Sequence, residues 1–251
     1  MTWLRSLLYQ IAFLSWTLLL VLLMLPMLGL ASRRRMQTGA AFWLDGALFL
    51  QRVVLGIAID IQGRENLPTG GAILAVKHQS AWETMIFHRL VGDPAFVIKK
   101  ELLSLPFIGW YLRKTGQIAI DRKAGIRALK LMTERARQVL AEGRTVVIFP
   151  EGHRQPPGMA GHYHTGIAML YAAAGAPVVP VALNSGLYWG RNAFLRRQGT
   201  IRLRLLTPIP PGLERAQFMS ELETRIETAT RELENEAVGG RPDLAAVLAK
   251  V

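Results

Sequence analysis

Apolar and polar positions alternate along this chain in three distinct ways. From Ser6 to Ser32 no residue carries a formal charge, and Ile11–Ala31 is almost wholly apolar. A helix needs about 20 apolar residues to span a bilayer core, so this run is long enough to anchor the chain in a membrane. Arg5 stands before it and Arg33, Arg34 and Arg35 stand after it. That basic flank predicts a cytoplasmic position for the segment that follows. The run is too long for the apolar core of a cleaved signal, and Pro26-Met27-Leu28-Gly29-Leu30 offers no small-x-small cleavage site. A second apolar stretch, Ala40–Ile61, is interrupted by Asp45, Arg52 and Asp60. Each charge costs a few kcal/mol at a bilayer centre, which disfavours a second crossing. The stretch reads as an amphipathic helix at the interface or against the first helix, or equally as a core-facing helix of the next domain.

After Asp60 the pattern changes to short β-rich runs separated by helical periodicity. The runs are Ala72–Val76, Ala95–Ile98, Gln117–Ile120, Thr145–Phe149, Val178–Leu183 and Thr200–Leu206. Helices are expected over Ser80–Leu90, Ala124–Glu142, Tyr163–Ala174 and Glu214–Glu236. The second of these is the clearest, with Ile126, Leu129, Met132, Ala136, Val139 and Leu140 at helical spacing and Gly143 as its stop. Such alternation predicts an α/β domain with a mostly parallel mixed sheet flanked by helices, behind an N-terminal membrane-anchoring helical segment. The expected organisation is anchoring helices over 1–59, the main domain over 60–236 and a frayed or surface-docked tail over 237–251.

Composition narrows the chemistry. The 251 residues suffice for one sizeable core. Apolar residues make up 51% and charged ones only 19%, against roughly 25% charged in average soluble domains. Disorder and coiled coil are excluded for the bulk of the chain. There is no cysteine, which excludes disulfides, a thiol nucleophile and cysteine-ligated metal clusters. The net charge of +12 points to a polyanionic partner: nucleic acid, an anionic membrane or a phosphorylated substrate. The basic residues are dispersed and no nucleic-acid motif occurs, so nucleic acid is not expected.

Two strand-to-helix junctions carry the candidate chemistry, because sites in open α/β sheets collect at the ends of strands. The first is Val76-Lys77-His78-Gln79-Ser80-Ala81-Trp82-Glu83. Ser80 and Glu83 have the spacing of a helix capping box, which alone would explain them. The same spacing lets Glu83 accept from one ring nitrogen of His78 and leave the other free as a base for a substrate hydroxyl. The second junction is Phe149-Pro150-Glu151-Gly152-His153-Arg154, where a glycine permits close backbone approach and an arginine can hold a phosphate. Between them, Gly116–Arg122 is a strand ending in another arginine. Singly, each also reads as an ordinary turn with a surface charge.

This ordered set resembles the glycerolipid acyltransferase family, and its bacterial 1-acyl-sn-glycerol-3-phosphate acyltransferase branch in particular. The family pattern is His-x4-Asp, a Gly…Arg strand, Phe-Pro-Glu-Gly-Thr-Arg and an apolar Val-Pro-Val block. Here these read His78…Glu83, Gly116…Arg122, Phe149–Arg154 and Val178-Val179-Pro180-Val181-Ala182-Leu183. The resemblance implies His78 as general base and Glu83 as its orienting carboxylate. It implies an acceptor site shaped by Arg122, Glu151, Gly152 and Arg154, with Lys99 or Lys100 reaching the phosphate unless that pair is a solvated face. It implies transfer of an acyl chain from acyl-CoA or acyl carrier protein to the hydroxyl of lysophosphatidic acid. The partners are then membrane lipids and the lyso-phospholipid acceptor. Neither a metal nor a cofactor beyond the thioester is implied, and the implied place is the cytoplasmic face of a bacterial inner membrane.

Three departures bear on that reading. Glu83 replaces the usual Asp, His153 replaces Thr, and His164 stands where relatives often carry Lys. His153 adds a titratable donor beside the proposed anion site. His153, His162 and His164 lack the acidic companions of a common metal set. Other acceptors, such as a lyso-ornithine lipid, and a non-catalytic lipid-binding role remain the competing expectations.

Overall fold

The computed structural model describes residues 1–25 and 31–249. Seven strands among them form one sheet: β1 (Ile57–Gln62), β2 (Ile73–Val76), β3 (Ala95–Lys99), β4 (Ile118–Ile120), β5 (Val146–Ile148), β6 (Val178–Leu183) and β7 (Gly199–Leu205). Their order is β1-β7-β6-β2-β5-β3-β4. Every neighbouring pair is parallel except β6 and β7. The central strands β2, β5 and β6 are buried along their whole length, as expected for a sheet covered on both faces.

Strand alternation sorts the core into two layers. Leu74, Val76, Val147, Val179 and Val181 face one side, where they meet Tyr9 of α1 (Thr2–Met24), Leu44 of α2 (Arg33–Leu50) and Phe87 of α3 (Glu83–Val91). Ile73, Ala75, Val146 and Ile148 face the other. There they meet α5 (Gly125–Ala141), α6 (Gly166–Ala174) and α8 (Arg215–Val238) through residues such as Met132, Leu170 and Phe218. Shorter helices are α4 (Ile108–Lys114), α7 (Ser185–Tyr188) and α9 (Pro242–Leu248).

The N-terminal helix starts at Thr2, earlier than the apolar run suggests, and takes in Arg5. Residues 26–30, with the segment tested for signal cleavage, lie outside the described residues. One side of α1 packs on the rest of the chain, where Ser6, Tyr9 and Leu20 are buried. Ser6 Oγ accepts from Arg196 N at 2.9 Å, Tyr9 packs edge-on to Trp189, and Trp43 Nε1 donates to Thr17 Oγ1 at 3.0 Å. The opposite stripe, Leu4, Leu8, Ile11, Leu14 and Leu18, is 50–61% exposed.

The stretch Ala40–Ile61 is not a single helix. α2 ends at Leu50, a π-turn covers Gln51–Leu55, and β1 begins at Ile57. Gly56 breaks the run at φ 67°, a conformation that glycine adopts without a Cβ clash. The sheet therefore begins ahead of the boundary expected at residue 60. The helix expected from Ser80 starts at Glu83, because Ser80 is used in the preceding turn, where its Oγ accepts from Trp82 N. The C-terminal tail contains α9, which buries Leu244 in the core.

Candidate active site

His78 stands in the turn after β2, at the end of the buried central strand. Its ring stacks on Phe149 at 4.0 Å between centroids, and its side chain keeps 15% exposure. Both backbone groups are pinned: His78 N donates to Glu151 Oε2 at 3.0 Å, and His78 O accepts from Gln155 N at 2.7 Å. Nδ1 lies 3.7 Å from Glu83 Oε2 and has no hydrogen-bond partner nearer. That spacing is loose, as it often is before substrate binds and tightens a catalytic pair.

Glu83 is fully buried at the head of α3. Its carboxylate accepts from Gln79 N at 3.0 Å, from Ser80 N at 2.8 Å and from Ser185 Oγ at 2.5 Å. The Ser80 N contact is the one that the capping-box spacing suggested, although α3 itself begins at Glu83. The same carboxylate also faces His78 Nδ1. Ser185 was not foreseen: it comes from the start of α7, across the sheet.

Glu151 does not face the cleft. It is turned inward, where Oε1 accepts from Lys77 Nζ at 2.7 Å and from Gly161 N at 2.9 Å, while Oε2 takes the His78 N–H. Burial pushes its carboxyl up from the ordinary range and the Lys77 ammonium opposes that shift. Gly152 beside it turns at φ 66°, which reverses the chain after the strand. Lys77 is itself buried and spends all three of its protons, on Glu151, on Met159 O at 2.8 Å and on Glu227 Oε1 at 2.8 Å. Tyr163 OH also donates to Glu227 Oε1. Gln79 Nε2 donates to Glu234 Oε1 at 2.7 Å, and Glu234 also accepts from Gly158 N. Thus α8 holds the residues on both sides of His78. Nothing in the sequence marked Lys77, Glu227 or Glu234, since charged residues on a long helix usually face water.

A cleft of about 670 Å³ opens in front of His78. Lys99, Gly152, His153 and Arg154 line it, as the sequence suggested, and His162, His164 and Arg191 join them. His162 and His164 stand edge to face at 5.3 Å. Lys100 does not line the cleft; it is exposed and pairs with Asp121 at 3.4 Å. Arg122 opens a 3₁₀ turn after β4, and its side chain lies outside the described part of the structure.

A second, apolar cavity of about 470 Å³ lies among α1, α2, α3 and α4. Leu20, Met24, Met36, Trp43, Met85 and Phe96 line it, and Thr84, Ile98, Leu102 and Phe149 are common to both cavities. Phe149, the ring on which His78 stacks, therefore stands between the two cavities. His88 lies in the apolar wall, and burial there pushes its pKa down to about 4, so it is neutral near pH 7.

The site thus combines a histidine backed by a buried carboxylate, a cleft lined by Lys99, His153, Arg154 and Arg191, and an apolar cavity beside it, all on an α/β fold. Comparisons with known proteins give the family. The acyltransferase family model matches residues 58–184. The 1-acyl-sn-glycerol-3-phosphate acyltransferase of Pseudomonas aeruginosa is 37% identical over 185 residues, covering 74% of this chain and 72% of that protein. The enzyme so named in Chlamydomonas reinhardtii is 29% identical over 192 residues, 74% of this chain and 56% of that protein. The crystal structure of the 1-acyl-sn-glycerophosphate acyltransferase of Thermotoga maritima superposes with a TM-score of 0.74 at 22% identity. It covers 93% of this chain and 98% of that one, and it shows the shared fold. The chain belongs to the acyltransferase family.

Proposed function

We propose that this chain moves an acyl group from an acyl thioester to the free hydroxyl of lysophosphatidic acid, giving phosphatidic acid. The observation that carries the reading is the placing of His78, with Glu83 behind it, in the cleft and against the Phe149 ring that also walls the apolar cavity. The free ring nitrogen of His78 takes the hydroxyl proton as the acceptor oxygen attacks the thioester carbonyl carbon. The tetrahedral intermediate collapses, the carbon–sulfur bond breaks, and the thiolate recovers the proton from the imidazolium. Glu83 orients the ring and balances its transient charge. The apolar cavity takes the acyl chain, and Lys99, His153, Arg154 and Arg191 take the acceptor phosphate, joined in this proposal by Arg122. Gly152 shapes that site by its turn, and Glu151 acts from behind. The donor is acyl-CoA or acyl carrier protein, and no metal or further cofactor enters these steps.

The long apolar helix supports membrane association. The first turns of α1 are tied to the 196–198 segment and its middle to α2, so a crossing would carry polar domain surface into hydrocarbon. We therefore place α1 in the plane of one leaflet with its leucine stripe in lipid, at the cytoplasmic face of the inner membrane. The deciding experiment measures thiol release and phosphatidic acid formation with acyl-CoA and with acyl carrier protein, using lysophosphatidic acid and a lyso-ornithine lipid as rival acceptors. His78→Ala should abolish turnover while the protein remains folded. Turnover retained in that variant, or preference for the phosphate-free acceptor, would overturn the reading.

A further inference from the structure

Residues 190–198 connect α7 to β7 as a tight loop. Arg197 N donates to Tyr188 O at 2.9 Å and a bridge joins Trp189 to Arg196, so the base of the loop is closed. The Arg196 guanidinium lies against the edge-to-face Tyr9 and Trp189 rings, 5.0 and 4.4 Å from their centroids. Arg5 of α1 donates to Gln198 at 2.8 Å. These contacts fix the loop to the first turns of α1.

What the loop presents is unusual for a soluble surface. Phe194 and Leu195, at its tip, are 40% and 39% exposed. Phe194 lies 6.0 Å from the ring of Trp3, itself 59% exposed at the start of the outward leucine stripe of α1. The apolar face of the helix thus continues onto the loop. Arg191 and Arg197 flank the tip, and neither the loop nor α1 contains a carboxylate. Asp243, on the neighbouring α9, is paired with Arg241 and also feels the charge of Arg197. Arg191 faces two ways: it lines the cleft before His78 and donates to Arg154 O at 3.3 Å.

We propose that the 190–198 loop is a second membrane-docking element: Phe194 and Leu195 enter an anionic lipid surface beside α1 while Arg191 and Arg197 meet headgroup phosphates. An aromatic–aliphatic tip between arginines is the chemistry of an interfacial anchor, and continuity with the leucine stripe favours lipid over an acidic protein. The loop also gives the cleft a side that opens onto the bilayer surface, with Arg191 at that rim. The inference rests on the in-plane reading of α1.

Because the chain has no cysteine, a nitroxide label on Phe194→Cys is unambiguous. The full chain is reconstituted on phosphatidylcholine–phosphatidylglycerol vesicles, and relaxation by oxygen and by a water-soluble nickel chelate is compared at three single labels. Leu14→Cys reports the outer stripe of α1, and Glu134→Cys, on α5, reports water. The expected result is protection from nickel at 194, as at 14 and unlike 134. Arg197→Gln should lower partitioning to these vesicles about fivefold, at the usual worth of one arginine near an anionic surface. A label at 194 as open to nickel as that at 134, with 14 protected, overturns the loop assignment. So does protection that appears only when acyl carrier protein is added. Labels at 14 and 194 both open to nickel overturn instead the lipid-facing reading of α1, and the loop assignment with it.

Discussion

Glu227 and Glu234 stand two turns apart on one face of α8 and grip the two residues that flank His78: Glu227 holds Lys77 and Glu234 holds Gln79. The His78 turn is thereby tied to a helix some 150 positions further along the chain. Both contacts are buried, where removing one partner of a charge-assisted bond costs about 1.5–3 kcal/mol. Glu227→Gln should lower the melting temperature and reduce kcat about tenfold, since small misplacements of a base are costly. The KM for either substrate should change little, because the cleft lining is untouched. Glu232→Gln is the control: its carboxylate pairs with Arg204 on the exposed face and should matter by less than about 0.5 kcal/mol. Steady-state kinetics beside thermal melts read both. Equal effects at 227 and 232 would show that the grip does not orient His78.

Glu83→Asp restores the residue usual in the family, yet it should slow this protein. The carboxylate is held by Gln79 N, Ser80 N and Ser185 Oγ while still 3.7 Å from His78 Nδ1. Losing a methylene must loosen either the cap or the pairing, and kcat should fall about tenfold, within the usual worth of a positioned base. An aspartate variant as fast as the parent would mean that the surrounding donors do not fix the geometry.

Chain-length selection should respond to the apolar cavity. Ala40 of α2 lines it. Ala40→Phe removes space equivalent to a few methylenes, each worth about 0.8 kcal/mol of burial. Preference should shift toward shorter donors by about tenfold in kcat/KM, read by competition among acyl thioesters of graded length. An unchanged profile would place the acyl chain elsewhere.

Acid should weaken the fold through His88. Burial holds the folded imidazole at a pKa of about 4, against 6.5 in an unfolded chain, with Asp93 opposing the shift. Between these values the unfolded state binds the extra proton, so stability falls as pH drops from about 6.5 to about 4 and levels off below. The contribution across that window is at most about 3 kcal/mol. His88→Leu should remove this part of the slope in denaturation curves recorded from pH 7 to 4. A slope unaltered by the substitution would assign acid sensitivity to other groups.

Where sequence and structure agree, local pattern was enough. The run Val178–Leu183 is a strand with those very ends, because an uninterrupted apolar run between turn residues leaves little choice. His78, Gly152 and Arg154 reach one cleft because strand ends in a parallel sheet converge. β1 was hidden inside a longer apolar stretch, and only the left-handed Gly56 separates it from the helix. Glu151 was expected to shape the acceptor site, but its carboxylate is turned inward onto Lys77, a direction no local spacing announces. Ser185, Glu227 and Glu234 reach the site through tertiary contacts alone, and no local spacing announces them. The apolar cavity is assembled from four helices distant in sequence, so no single segment carries its imprint.

The hold of α8 on the catalytic turn also sets an order of events at birth. Chains emerge from the ribosome N-terminus first. Helix α1 is therefore available long before Glu227 and Glu234 exist to fix His78. That helix can find its place while His78 is still unsupported, and the His78 turn is completed only after residue 234 has been made.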